Sequence, residues 1–177
     1  MKRRRPKTKL SVVIAPAVIR AAARAHAALE KAGVAHALIG GLAYDVHADE
    51  PSATADVDFV VDPERWEDAA QAIRRAGFRG GNVDEMLTQL ADKDGVRVDL
   101  LFGVGDPEES ARETAPQVDV LGTRMPVVRP EYLVWMWLRS DQPRHEARAI
   151  TLLREGKVDV RKFPTLAEPR RQKARKS

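Results

Sequence analysis

Apolar positions recur at helical spacing from Pro16 to Gly33. Val18, Ile19, Ala22, Ala25, His26 and Leu29 share a face, and Gly33 is a natural stop. A short apolar run, Ala35–Ile39, then predicts a strand that reaches Gly40-Gly41, and Leu42–Ala48 returns to helical spacing. Residues 49–55 (DEPSATA) form a polar loop, and 56–61 (DVDFVV) predict a strand ended by Asp62-Pro63. Pro63 opens a helix through Ala76 with Trp66, Ala69, Ala70, Ile73 and Ala76 inward, because proline is tolerated in the first helical turn. Gly77 closes that helix, and Arg79-Gly80-Gly81 reads as a loop. From Glu85 to Phe102 two apolar runs flank Lys93-Asp94-Gly95, which predicts a hairpin. Gly103–Thr114 is acidic and loop-like with room for a short helix, and Val118–Val128 predicts a second hairpin around Gly122. Pro130–Arg139 is a strongly apolar helix, and Pro143–Arg154 is another, ended by Gly156. Nothing beyond Phe163 is periodic, and no segment repeats. The order indicates an α/β (α+β) domain with a small mixed sheet, flanking helices and two C-terminal helices.

Charge divides the chain. Residues 1–9 hold six Lys/Arg and residues 170–177 hold five, with no acid in either stretch. The net charge of +4 is therefore +11 on the two ends and −7 on residues 10–169. The expected organisation is a basic disordered tail (1–9), a folded domain (10–163) and a second basic disordered tail (164–177). Within the domain, a core spans about 35–128 and the C-terminal helices about 129–156. Tails Lys2–Lys9 and Arg170–Lys176 suit RNA phosphates, although such ends serve equally for solubility. The absence of cysteine excludes a thiol nucleophile, a disulfide scaffold and thiolate metal sites. Four histidines with no pair at metal-ligand spacing argue against a zinc hydrolase. No apolar run reaches the ~20 residues of a membrane span, and no secretion signal is visible, so the expected location is cytoplasmic.

Three features carry candidate chemistry. Gly40-Gly41 sits between strand and helix, where glycine lets a backbone approach a ligand and free N–H groups face a phosphate. Asp56 and Asp58 lie two apart on a strand, so they share a face while Val57 and Phe59 point to the core. Two like charges on one face are unfavourable without a cation, and hard oxygen donors suit Mg²⁺ or Mn²⁺. Asp99 occupies the polar face of Val96–Phe102, with Arg97 and Leu101. Each feature alone also has a plain reading: a turn glycine, a solvated strand edge, a half-exposed strand residue. If the two strands are neighbours, the three carboxylates form one cluster, the apparatus of two-metal phosphoryl or nucleotidyl transfer.

Together, Ile39-Gly40-Gly41, fourteen intervening residues, Asp56-Val57-Asp58-Phe59 and a later strand bearing Asp99 resemble the nucleotidyltransferase superfamily, the polymerase-beta-like fold. Gly40-Gly41-Leu42-Ala43, His47 and the run Pro51–Asp56 look especially like the minimal nucleotidyltransferases of AbiEii-type abortive-infection toxins. The likeness covers about residues 35–155 and is most specific over 38–62. It implies that Gly40 and Gly41 cradle a nucleoside triphosphate, that Asp56, Asp58 and Asp99 bind Mg²⁺ (or Mn²⁺), and that Asp99 helps activate an acceptor hydroxyl. Thr54 orients the loop or touches phosphate, and His47 packs beneath the loop. The implied reaction transfers a nucleoside monophosphate from an NTP, ATP among the candidates, to a hydroxyl. RNA or a tRNA end is the favoured acceptor, with a protein or small molecule as further possibilities. A toxin role with an antitoxin partner would accompany the likeness.

The chain also departs from the pattern. Ser52 stands where relatives commonly carry arginine. Trp135-Met136-Trp137 stands where a lysine is common, with Arg139 the nearest substitute for phosphate binding. Arg144–Arg148 (RHEAR) replaces a Lys-Asp-x-x-Asp element. These losses leave open a second reading, a catalytically degenerate module that binds RNA or a protein. Trp135 and Trp137 could form a base-stacking platform, but packing on the sheet is the expected role, with one tryptophan edging the pocket. His145 reads as a solvated helix start.

Overall fold

The structure, a computed structural model, describes residues 14–103, 105 and 107–162. Both basic tails lie outside the described residues.

Helix α1 (Pro16–Lys31) begins with proline in its first turn and buries Val18, Ala21, Ala22, Ala25, His26 and Leu29. Gly33, at φ 65°, turns the chain out of the helix, and the Val34 amide closes the end on the Leu29 carbonyl at 3.0 Å. Strand β1 (His36–Ile39) is buried throughout and runs into α2 (Gly40–His47) with no intervening loop. Strand β2 (Val57–Val61) follows the polar loop, and a short 3₁₀ turn (Pro63–Arg65) leads into α3 (Trp66–Arg75). The sequence joined that turn to α3 as one helix. Asp62 caps it instead by accepting the Glu64 amide at 3.0 Å.

Arg79–Asn82 is strand β3, not the loop that its two glycines suggest. All four residues are exposed, so no side-chain alternation marks the strand. Gly80, at φ 147°, lies so close to β4 that a Cβ there would sit 2.2 Å from the Gln89 carbonyl oxygen. Backbone pairing alone makes β3, and only glycine permits the approach. Strands β4 (Leu87–Ala91) and β5 (Arg97–Leu101) form the expected hairpin. Its turn is held by Asp92, whose carboxylate accepts the Asp94 and Val96 amides at 2.9 and 3.0 Å.

The five strands order as β1-β2-β5-β4-β3, with β2 and β5 parallel and the other pairs antiparallel. Helix α4 (Glu108–Glu113) follows β5, and β6 (Gln117–Val120) and β7 (Thr123–Pro126) form a separate hairpin. That hairpin leans on the free edge of β1 through the Leu38–Val127 bridge. Helices α5 (Pro130–Leu138) and α6 (Pro143–Arg154) then pack on each other. The mixed sheet with two C-terminal helices is the architecture that the sequence pattern implies.

Val57, Phe59, Val98 and Leu100 are all fully buried on the same face of the β2–β5 pair. Residues of the opposite face, Asp58 and Asp99, stand directly across from each other in the parallel register. The sheet thus carries a dry side and a cleft side, and β1 delivers the glycine pair to the cleft.

Candidate active site

A cleft of about 500 Å³ opens over the acidic face, within the range of small-molecule sites. Gly40, Gly41, Thr54, Asp56, Asp58 and Asp99 all line it. Arg139 does not: α5 ends at Leu138, and Arg139 is exposed beyond it. The cationic wall comes instead from the first turns of α6, through Arg144 and Arg148.

The glycines are required by space. Gly40 has φ 65°, and a Cβ there would lie 2.0 Å from Asp58 Oδ2. A Cβ on Gly41 would lie 2.6 Å from Thr54 Oγ1 and 3.3 Å from Arg148 Nη1. The Gly41 backbone N–H favours the charged form of the Asp58 carboxylate, so the start of α2 lies against the acidic strand.

Parallel register puts Asp58 beside Asp99, one strand spacing of roughly 4.8 Å away. Arg97 reaches along the same face. Its Nη2 donates to Asp56 Oδ2 at 2.7 Å, and its Nε lies 3.3 Å from Asp99 Oδ1. Gln89 Nε2 donates to Asp99 Oδ2 at 3.2 Å. Burial pushes the Asp58 carboxyl up to about 6, with the charges of Asp99 and Asp56 adding to the rise. Burial also raises Asp99, while Arg97 pulls it back.

The donor set suits a hard divalent cation. Three carboxylates converge with one guanidinium between two of them, leaving an excess of negative charge. Asp99 Oδ1 is buried without a hydrogen-bond partner, since Arg97 Nε is near it but not aligned. A cation in this cluster would satisfy that oxygen and relieve the repulsion at Asp58.

The loop before β2 is held by a residue that the motif did not single out. Asp45, buried in α2, accepts the Ser52 amide at 2.6 Å, the Ser52 hydroxyl at 3.0 Å and the Thr54 amide at 3.2 Å. Its signal in the sequence is a lone carboxylate within an otherwise apolar helix. Ala53 takes φ 55°, a left-handed conformation uncommon for alanine, at the apex of this loop. Thr54 Oγ1 turns back to the Asp56 carbonyl at 3.2 Å. Arg148 Nη2 donates to Ser52 Oγ at 2.9 Å, so α6 brings a guanidinium to the loop position where Ser52 offers none.

Trp137 closes the far side. It is 5% exposed, stacks on His145 with centroids 5.7 Å apart, and tilts against Tyr44 at 6.0 Å. Trp135 pairs with Tyr132 and Trp66 with Phe102, so of the three tryptophans only Trp137 lines the cleft. His145 is not a solvated helix start. It is partly buried, its Nδ1 lies 2.8 Å from Ser140 Oγ, and burial lowers its pKa, with Arg144 and Arg148 adding to the effect. His47 stays out of the cleft, bonded to the Val128 carbonyl at 2.7 Å.

No family model matches the sequence, and no curated protein sequence does. Solved structures do match. The antibiotic-resistance factor ANT(2'')-Ia superposes with a TM-score of 0.59 at 17% identity, over 94% of each chain. A nucleotidyltransferase from Thermotoga maritima (TM1012) gives 0.56 at 19% identity, over 80% of this chain and 93% of the other. Lincomycin-bound LnuA, a lincosamide antibiotic adenylyltransferase, gives 0.51 at 14%, over 70% and 89%. The chain has the nucleotidyltransferase fold. The AbiEii-type likeness of residues 38–62 rests on sequence alone.

Proposed function

We propose that this nucleotidyltransferase-fold protein is a divalent-metal-dependent nucleotidyltransferase, which moves a nucleoside monophosphate from an NTP to an acceptor hydroxyl and releases pyrophosphate. The observation that carries the reading is the joint placement of Asp56, Asp58 and Asp99 beside a glycine pair with no room for side chains. Asp56, Asp58 and Asp99 would hold Mg²⁺ or Mn²⁺. The bound ion would favour ionisation of the acceptor hydroxyl and neutralise charge on the triphosphate.

The chain's own residues do the rest. Gly40 and Gly41 leave the space in which a triphosphate can lie against backbone. Arg148, anchored on Ser52, and Arg144 supply positive charge to the phosphates. Trp137 and His145 present a stacked aromatic wall suited to a nucleobase. Asp99 would receive the acceptor proton. Asp45 fixes the loop so that Asp56 leaves it in register with the cluster.

Two observations bear on the acceptor. The basic ends at Lys2–Lys9 and Arg170–Lys176 favour RNA. The match over nearly all of ANT(2'')-Ia, a resistance factor also seen with adenylyl-2''-tobramycin, favours a hydroxyl on a small molecule. A toxin role with an antitoxin partner is supported only by the resemblance of residues 38–62.

The test is transfer of label from each ribonucleoside triphosphate carrying radiolabel at the α-phosphate, with Mg²⁺ or Mn²⁺. Total RNA, the protein itself and an aminoglycoside are offered as separate acceptors, beside Asp56→Asn/Asp58→Asn protein. Label on one acceptor that the variant does not produce supports the reading and names the acceptor class. Folded protein that transfers nothing, yet retains RNA, would replace it with the binding-module reading.

A further inference from the structure

The end of β1 remote from Gly40 carries a second cluster. His26 on α1 and His36 at the start of β1 face each other, with Nδ1 of His26 2.8 Å from Nε2 of His36. Glu30 follows His26 by one helical turn. One donor atom from each of the three side chains lies within 4.8 Å of the others.

Protons decide what this contact is. His36 Nδ1 lies 2.7 Å from the Val34 carbonyl, which only accepts, so the proton sits on Nδ1 and a neutral ring leaves its lone pair on Nε2. The backbone of Arg124, on β7, also lies beside the His26 ring. His36 Nε2 therefore aims a lone pair at His26 Nδ1, and the two meet through a proton on Nδ1 or, with that proton on the other ring nitrogen, through a shared cation.

An added proton would put a charge on rings that are only 8% and 5% exposed. Burial lowers the pKa of both, and His26 lowers that of His36 further, while Glu30 opposes the shift at each ring. A metal ion fits better. His36 donates its Nδ1–H to the Val34 carbonyl at 2.7 Å, the arrangement that orients metal-ligating histidines. Glu30 is exposed and brings a carboxylate to the mouth.

We propose that His26, His36 and Glu30 bind one zinc-class transition-metal ion, with water completing the shell. Two imidazoles and a carboxylate match the donor preference of Zn²⁺, whereas the all-oxygen cluster in the cleft matches Mg²⁺. The rings need part only slightly, from 2.8 Å to about 3.3 Å, to accept Zn–N bonds near 2.05 Å at a tetrahedral angle. Such an ion ties α1 to the strand that ends at the glycine pair. Its role is structural, and it is independent of any reaction in the cleft.

The test uses full-length, tag-free protein carrying Asp56→Asn/Asp58→Asn, so that the cleft carboxylates do not compete. After chelation and dialysis it is titrated with Zn²⁺, then with Co²⁺, in excess Mg²⁺. One equivalent should bind with sub-micromolar affinity, raise the melting temperature by several degrees, and give the visible absorption of four-coordinate Co²⁺. Glu30→Gln, at an exposed position, should leave the metal-free melting temperature unchanged and weaken binding at least tenfold. His36→Gln should abolish it. No stoichiometric binding, or binding indifferent to Glu30→Gln, would overturn the proposal and leave a shared proton as the account of the pair.

Discussion

Strands β2 and β5 present two faces whose residues alternate along the chain and whose chemistry is opposite. Val57, Phe59, Val98 and Leu100 form a dry layer with no exposed surface. Asp56, Asp58 and Asp99, one residue away in each case, hold like charges together in the cleft. The apolar face stabilises the fold and touches no ligand. The acidic face opposes folding of the ion-free protein and is where the proposed cation would sit. One pair of strands therefore separates stability from chemistry by the pleat alone.

Asp58→Asn tests that separation most severely. Nucleotidyl transfer should fall by about 10²–10³-fold or more, the scale of losing one electrostatic element of a transition-state site. The metal-free protein should nevertheless melt higher, because a buried charge and its repulsion with Asp99 and Asp56 are removed. A variant that lost both activity and stability would break the comparison. Phe59→Ala attacks the other face. It should cost about 3–5 kcal/mol in urea unfolding, as for other buried phenylalanines, while the folded fraction keeps its KM for nucleotide.

The acidic face also sets a pH dependence with a defined sign. Asp58 titrates at about 6 in the folded protein against an ordinary 3.8. Its carboxylate thus weakens the ion-free fold fully above about 6, and this penalty fades as pH falls toward 3.8. At ~1.4 kcal/mol per unit, the penalty is at most about 3 kcal/mol. Wild type should therefore gain stability relative to Asp58→Asn between pH 7.5 and 5, read as urea midpoints without metal. Saturating Mg²⁺ should shrink that difference. The smallest effect lies in the loop. Ala53→Gly relieves a left-handed alanine and should change stability by less than about 1 kcal/mol, with activity within a few-fold.

Much of this arrangement was legible in the sequence because it depends on period and spacing. The alternation in 56–61 and 96–102 already assigns each aspartate a face, and the glycine pair marks the strand-to-helix junction. What was hidden depends on partners distant in the chain. Register between β2 and β5 decides that Asp58 meets Asp99, and no local pattern encodes it. Arg139 was the natural substitute by proximity, yet the chain turns after Leu138 and α6 supplies Arg144 and Arg148 instead. Strand β3 was missed because glycine has no side chain with which to show a period. The histidine pair escaped because His26 and His36 lie ten residues apart, on a helix and a strand, at no familiar ligand spacing.

Asp45 has a further consequence, for which chain lengths this site tolerates. By gripping Ser52 and Thr54 from within α2, it fixes the loop at a point only a few residues before Asp56. Residues 48–51 run between two anchored ends, and Asp49 among them is tied to Glu155 and Lys157. Insertions there should bulge at the surface, since doubling a loop adds only about 0.6 kcal/mol of closure entropy. One residue added between Thr54 and Asp56 would instead have no slack to take it up, and would displace Asp56 from the cluster or break the grip of Asp45. Length variation among proteins built on this plan should therefore gather before Ser52 and vanish after it.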